Sequence, residues 1–272
     1  MQYTISMGLK SYLLIFIAFL YLTVVLLMYF TQRSFLYFPN EDNYLTNETI
    51  KFNNEVVLIN STNEIALKSW FHNNNPGEKF ILFLHGNAGT LKSRIYKLNA
   101  FSDLGLNFLA ITWRGFSGNH GLPSEKGLYD DAISAVKWLN SNGIKSEDII
   151  IYGESLGTAI AIEISQGSNY AGVILESPFT SIISMGKLKF PYLPIELILK
   201  DKFESMNKTS NINIPSLVLH GKDDTLVPFY MGQEIFASLK YKSRSYFVSD
   251  DHMMRFDDQM IEAIRKFVKS LD

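Results

Sequence analysis

Asp148-Ile149-Ile150-Ile151-Tyr152-Gly153-Glu154-Ser155-Leu156-Gly157 is the stretch on which the reading of this sequence turns. Asp148–Tyr152 has the β-branched, apolar character of a buried strand, and a helical pattern, Ser155–Gln166, opens where it ends. A serine with glycine two residues to either side suits a sharp strand-to-helix turn. There the serine takes a strained backbone conformation, and the missing Cβ atoms let strand and helix close so that Oγ projects above the sheet. The N–H of Leu156 and the start of the helix then face the space where a developing oxyanion would be held. The bare Gly-x-Ser-x-Gly pattern is only moderately specific; the strand before it and the helix after it give it weight.

The same alternation extends outward in both directions. Val56–Ile59 and Ile65–Trp70 read as a strand pair joined by Asn60-Ser61-Thr62-Asn63. Phe80–Leu84 is a continuous apolar run, as in a central strand covered on both faces. Similar runs recur at Phe108–Thr112, Ile149–Tyr152, Val173–Leu175, Leu217–Leu219 and Tyr246–Val248. Helical patterns at Leu91–Leu104, Gly127–Asn140, Tyr230–Leu239 and Phe256–Leu271 fall between or after them. Such alternation predicts an α/β fold, a mostly parallel central sheet with helices on both faces, over residues 51–272. Residues 178–215 interrupt the rhythm with Pro191 and Pro194 and predict a small cap-like insertion with a helix at Ile195–Phe203.

Composition narrows the functions open to such a domain. The 272 residues carry 25 Lys+Arg against 27 Asp+Glu, a formal net charge of −2. That balance excludes non-specific nucleic-acid binding through a basic face. Cysteine is absent from the sequence, which excludes a disulfide, a thiolate metal site, an Fe–S cluster and a cysteine nucleophile. Asn-x-Thr triplets at Asn47, Asn60 and Asn207 are no more than chance supplies in so Asn-, Ser- and Thr-rich a chain.

Ahead of the domain, Ser11–Phe30 contains no charged residue between Lys10 and Arg33. Twenty helical residues rise about 30 Å, the thickness of a bilayer's hydrocarbon core. The rival reading, a cleaved signal peptide, expects a shorter apolar run ending in small residues, and Met28-Tyr29-Phe30-Thr31-Gln32-Arg33 offers no such site. The expectation is an uncleaved single-pass anchor over residues 11–32, which makes the lipid bilayer a partner. A tail at 1–10 precedes it and a juxtamembrane segment at 33–50 follows. The signal-anchor-like layout puts the body on the non-cytoplasmic side.

Three more segments carry candidate chemistry. His85-Gly86-Asn87-Ala88-Gly89 follows the strand Phe80–Leu84, where the Asn87 N–H becomes the candidate second oxyanion donor. His220-Gly221-Lys222-Asp223-Asp224 follows Leu217–Leu219, and either aspartate is placed to hold a catalytic imidazole. His252, after Tyr246–Val248, is the one histidine that comes later in the chain than both the serine and the aspartates. His72, His85, His120 and His220 compete poorly by position.

Taken with Trp113-Arg114-Gly115-Phe116, Gly121-Leu122-Pro123-Ser124-Glu125, Glu176-Ser177-Pro178-Phe179-Thr180 and Thr225-Leu226-Val227-Pro228, these motifs resemble the α/β-hydrolase superfamily. More narrowly they resemble its membrane-anchored serine hydrolases related to serine aminopeptidases, as does Arg33-Ser34-Phe35-Leu36-Tyr37-Phe38-Pro39 behind the anchor. The resemblance covers residues 10–270 and implies a Ser155–His252–Asp224 triad, since the fifth position of the family's His-Gly-x-x-Asp motif falls on Asp224. It implies acyl-ester, thioester or amide hydrolysis with no metal or organic cofactor, on an acyl-containing small molecule or a lipid. Peptidase activity is the alternative within the class, and an inactive membrane-tethered interaction module is the alternative outside it. Where the family usually carries glycine before its histidine, this chain has Asp250-Asp251.

Overall fold

The computed structural model describes residues 8–40, 50–241 and 243–271. The chain runs through α1 (Leu9–Leu36), β1 (Phe38–Pro39), β2 (Glu55–Asn60), β3 (Ala66–His72), β4 (Phe80–Leu84), β5 (Ala88–Gly89), α2 (Ile95–Asp103), β6 (Asn107–Ile111) and α3 (Glu125–Ser141). It continues through β7 (Ile149–Glu154), α4 (Leu156–Ser165), β8 (Gly172–Glu176), α5 (Ile182–Lys189), α6 (Ile195–Ile198), β9 (Ser216–Gly221), α7 (Phe229–Ser238), β10 (Ser243–Val248) and α8 (Asp258–Val268). The apolar runs become the central strands: β4, β6, β7, β8 and β9 are buried from end to end.

The main sheet has eight strands in the order β10-β9-β8-β7-β4-β6-β3-β2. β2 and β3 pair antiparallel, β3 pairs antiparallel with β6, and every other pairing is parallel. Each face has its own apolar core. Leu128 of α3, Ile160 of α4 and Met231 of α7 pack into one; Phe101 of α2 and Ile264 and Phe267 of α8 pack into the other. A parallel sheet covered this way leaves the loops beyond its strand C-termini as the place for a site. The α/β fold with a mostly parallel central sheet and helices on both faces, expected from the alternation, is therefore present.

Two helices differ from expectation in extent for reasons that neighbouring contacts supply. The helix expected at Ile195–Phe203 ends at Ile198, and a separate helix, α5, precedes it. Contacts from other elements replace its further helical bonds: Gln32 Nε2 donates to Ile198 O, Lys200 N–H donates to Gln32 Oε1, and Lys202 N–H donates to Glu125 Oε2. At the C-terminus α8 starts at Asp258 rather than Phe256, because the Asp257 side chain caps it by accepting from Gln259 N–H and Met260 N–H.

The apolar N-terminal segment forms one helix of 28 residues, long and apolar enough to cross a membrane. No residue of its most apolar window is buried. Its last two turns do pack: Gln32 is buried, and Arg33 Nε bonds Asp201 Oδ2 at 2.7 Å. Residues 1–7 of the tail expected at 1–10, half of the juxtamembrane segment expected at 33–50 (residues 41–49) and with it Asn47 lie outside the described residues.

Candidate active site

Ser155 sits at the turn between β7 and α4 with φ +51° and ψ −115°, in the left-handed half of backbone space that a non-glycine residue enters only under constraint. The two glycines are required by contact. A Cβ on Gly153 would overlap the Gly157 carbonyl, and a Cβ on Gly157 would overlap the Leu84 carbonyl at the end of β4. The Ser155 N–H donates to Glu176 O at 2.8 Å, tying the turn to the end of β8. Leu156 is the first residue of α4, so its N–H is one of those a helix leaves without an intrahelical acceptor.

The structure brings the three side chains together. His252 Nε2 lies 3.1 Å from Ser155 Oγ, and His252 Nδ1 lies 2.8 Å from Asp224 Oδ2. With the Nδ1 proton directed at Asp224, Nε2 is left as an acceptor for the serine hydroxyl. Asp224 is 9% exposed and His252 only partly buried. Asp223 is turned away, its Oδ2 accepting from Ser249 Oγ. Spacing alone left the two aspartates equal; side-chain direction separates them.

Asp224 is held from four sides. Its Oδ1 accepts the Leu226 and Val227 N–H groups at 2.9 and 2.7 Å. Its Oδ2 lies 2.8 Å from His252 Nδ1 and 3.2 Å from His220 Nε2. Burial by itself would raise its pKa, but the hydrogen bonds from His220 and His252, the His252 charge and the Val227 N–H hold it below the ordinary carboxylate range. His220 is a contact that sequence position did not reveal. It is fully buried at the end of β9 and approaches the acid four residues later because the chain doubles back.

The loop before His252 shows what Asp250 and Asp251 do in place of glycine. Asp251 Oδ1 accepts the Thr225 and His252 N–H groups at 3.0 and 2.8 Å, and Asp250 Oδ2 accepts the Arg255 N–H at 2.7 Å. Asp223 N–H donates to Asp250 O, and Ser177 Oγ donates to His252 O. The Asp251 carboxylate and the Asp250 main-chain carbonyl pin the histidine loop to the loop that carries Asp224, while the Asp250 carboxylate braces the histidine loop internally through Arg255.

Asn87 lies in the loop after β4. Its carbonyl accepts from Phe38 N–H, its side chain donates to Leu36 O, and β5 pairs with β1 immediately behind α1. Beside it, His85 is fully buried between Trp113 and Phe116, and its carbonyl accepts from Trp113 Nε1. Burial, reinforced by the Arg94 charge, lowers the His85 pKa to about 3. A neutral, packed imidazole of this kind buttresses the loop and is far from serving as a base.

Under the serine turn lies a charge cluster that reading the sequence missed. Arg94 Nη2 bonds Glu154 Oε1 at 2.6 Å, and Lys97 Nζ bonds Glu154 Oε2 at 2.6 Å and both Glu176 oxygens at 2.7 and 2.8 Å. Tyr152 OH donates to Glu176 Oε2 at 2.6 Å. Burial alone would raise the Glu154 pKa, yet Lys97 and Arg94 hold it below the usual range. The available signal was a glutamate closing an apolar strand and a lysine on the apolar side of α2.

A cavity of about 500 Å³ opens beside the serine. It is bordered by Ser155, Leu156, Asn87 and Thr225, by Phe179 and α5 and α6 of the segment between β8 and β9, and by the last turns of α1. Its size is that of an ordinary small-molecule site. Among the described residues no group of three or more His, Cys, Asp and Glu side chains forms a metal cluster.

A sheet of this order, with a serine at the β7–α4 turn and an acid and a histidine on later loops, is the α/β-hydrolase architecture. Comparison with known proteins agrees. The model of the prolyl oligopeptidase family matches residues 124–269, over half of the chain, and the chain belongs to that family within the α/β-hydrolase superfamily. An uncharacterized protein of Mycobacterium tuberculosis, Rv2307c, is 29% identical over 252 residues, 90% of each chain. Lysophosphatidylserine lipase ABHD12 of Danio rerio is 34% identical over 176 residues, which are 57% of this chain and 46% of that one. The Pyrococcus furiosus esterase Pf2001 superposes with a TM-score of 0.72 at 22% identity, over 86% of this chain and 99% of that one, a likeness of fold.

Proposed function

We propose that the chain is a membrane-anchored serine hydrolase that cleaves ester or thioester bonds of acyl substrates. Ser155 is the nucleophile, His252 the general base and then acid, and Asp224 the group that orients and stabilises the imidazolium. The observation that carries the reading is the continuous line from Ser155 Oγ to His252 Nε2 at 3.1 Å and from His252 Nδ1 to Asp224 Oδ2 at 2.8 Å.

In the acylation half, the Ser155 proton passes to His252 Nε2 while Oγ adds to the acyl carbonyl carbon. The oxyanion that forms is met by the N–H groups of Asn87 and Leu156. Collapse expels the alcohol or thiol, which takes the proton from His252. In the second half water gives its proton to His252 as it adds to the acyl-serine carbonyl; collapse releases the carboxylic acid, and the departing Ser155 Oγ takes the proton back from His252.

The family description points to peptide bonds, which keeps an amide hydrolase as the second reading. The apolar lining from Phe179, Ile182, Met185 and Leu188 favours an acyl chain over a peptide backbone, which needs polar partners along its length. ABHD12 is named for a lysophospholipid, a substrate of the same acyl character.

Anchoring by α1 is supported by its length and composition and by the contacts of its last turns. Cleavage as a signal peptide ahead of residue 33 would strip Gln32 from Ile198 and Lys200 and remove Met28 from the cavity. The signal-anchor-like layout supports a catalytic body on the non-cytoplasmic side.

The test is hydrolysis of a p-nitrophenyl acyl ester and labelling by a fluorophosphonate probe, each with and without Ser155→Ala. Ser155→Ala should cost on the order of 10⁶ in kcat and abolish labelling. Turnover by the variant at the wild-type rate would overturn the assignment.

A further inference from the structure

The end of the membrane helix is built into the site itself. Met28, Gln32, Phe35 and Leu36 border the cavity that contains Ser155; their spacing puts them on one face of α1. The same helix end is sewn to the Asn87 loop, since Leu36 O accepts from Asn87 Nδ2 at 2.8 Å and Asn87 O accepts from Phe38 N–H at 2.9 Å. Arg33, the first charge after the apolar run, is paired with the buried Asp201. Nothing in this arrangement resembles a tether joined to an independent domain by a free linker.

The segment between β8 and β9 follows α1 back into its apolar stretch. Tyr21 OH donates to Tyr192 O at 2.9 Å, and Tyr21 lies 12 residues before Arg33, about 18 Å back along a helix. Around that contact the segment shows apolar side chains to its surroundings: Tyr192 is 87% exposed, Leu197 85% and Leu188 54%. Exposed apolar side chains grouped at the side of a membrane helix suit lipid rather than water. Phe35 on α1 and Leu188 on α5 both border the cavity and both remain about half exposed, at 52% and 54%. The cavity therefore opens along the seam between α1 and α5, at the end of the stretch of α1 that the apolar run assigns to the bilayer.

We propose that this seam is a lateral port, and that the site takes a single long acyl chain directly from the leaflet in which α1 stands, with the last turns of α1 forming one wall of the acyl pocket. The proposal rests on the hydrolase reading for what happens to the chain, but the pocket and its port stand on geometry of their own. The occupant is the chain of a one-tailed amphiphile. Its ester carbonyl reaches Ser155, and its polar part lies toward Thr225 and Leu226, the other exposed rim of the cavity.

The experiment uses full-length protein in phosphatidylcholine nanodiscs. Two readouts are taken: the ratio of kcat/KM for p-nitrophenyl palmitate to that for p-nitrophenyl acetate, and cross-linking of a diazirine-bearing palmitic acid, which requires no catalysis. Met28→Trp, which fills the α1 wall, should lower the ratio at least tenfold and weaken cross-linking, whereas Leu13→Trp, on the same helix outside the cavity, should change neither. In wild-type and Ser155→Ala protein alike, the cross-link should fall on peptides containing residues 28–38 or 182–190. In vesicles, the palmitate rate should follow the mole fraction of substrate in the membrane at constant bulk concentration. A Met28→Trp ratio within twofold of wild type, cross-links elsewhere, or a rate that follows bulk concentration would overturn the port. Cross-linking at the seam with no turnover of either ester by the wild type would refute the hydrolase reading and leave the lipid site standing.

Discussion

Replacing Lys97 with methionine keeps most of the side chain's length and removes the charge that Glu154 and Glu176 share. Lys97 is fully buried, and burial alone would favour its neutral form; the two carboxylates hold its pKa above the ordinary lysine value. In the variant Glu154 retains Arg94, while Glu176 keeps the Tyr152 hydroxyl as its donor among the described side chains. Removing one partner of a buried ion pair costs about 3–5 kcal/mol, equivalent to roughly 6–20 °C in Tm for a chain of this size. Urea and thermal unfolding of the detergent-solubilised protein measure the loss. The sign of its pH dependence is also determined. A stranded, buried carboxylate prefers its protonated form, so its folded pKa rises above the unfolded value. Stability is then present below the unfolded pKa and lost as pH rises through the folded one. Lowering the pH from about 7.5 to about 5.5 should restore part of the variant's deficit relative to wild type. A loss below about 1 kcal/mol, or a deficit unchanged across that interval, would refute the account of Lys97 as the cation shared by two buried carboxylates.

Asp224→Asn should lower kcat by about 10⁴ with the fold intact, because an amide does not stabilise the imidazolium and favours the wrong tautomer of His252; steady-state kinetics with circular dichroism as control tests it. Gly157→Ala places a Cβ against the Leu84 carbonyl, so it should either unfold the β7–α4 turn or displace Ser155, and fluorophosphonate labelling should fall at least tenfold. His85 has its folded pKa lowered from 6.5 to about 3, so between those values the unfolded chain binds a proton that the folded chain refuses. Its contribution is complete above pH 6.5 and declines on acidification at about 1.4 kcal/mol per pH unit. His85→Phe should flatten the pH dependence of urea stability by that slope, and an unchanged slope would remove His85 from the account.

Much of this protein was legible in local pattern. Strands buried on both faces need unbroken apolar runs, and Phe80–Leu84 and Ile149–Tyr152 announce themselves whatever their neighbours do. The glycines around Ser155 are equally local, since they answer to the backbone of one turn. The 20-residue apolar segment declared a helix able to cross a bilayer on length alone. What remained hidden depends on residues far apart in sequence. The choice of Asp224 over Asp223 follows from side-chain direction on a loop tied to Asp250 and Asp251. His220 meets the acid only because the chain turns back after β9. In the sequence Lys97 is one lysine among many; packing places two glutamates against it. The helix expected at Ile195–Phe203 stops early because Gln32, some 166 residues upstream, takes over the Ile198 carbonyl. The same long-range contacts turn an apparent tether into a wall of the cavity. Periodicity and turn chemistry act over a few residues and can be read from order. Desolvation and hydrogen-bond competition act between whichever groups folding makes neighbours, and no linear pattern records those partners.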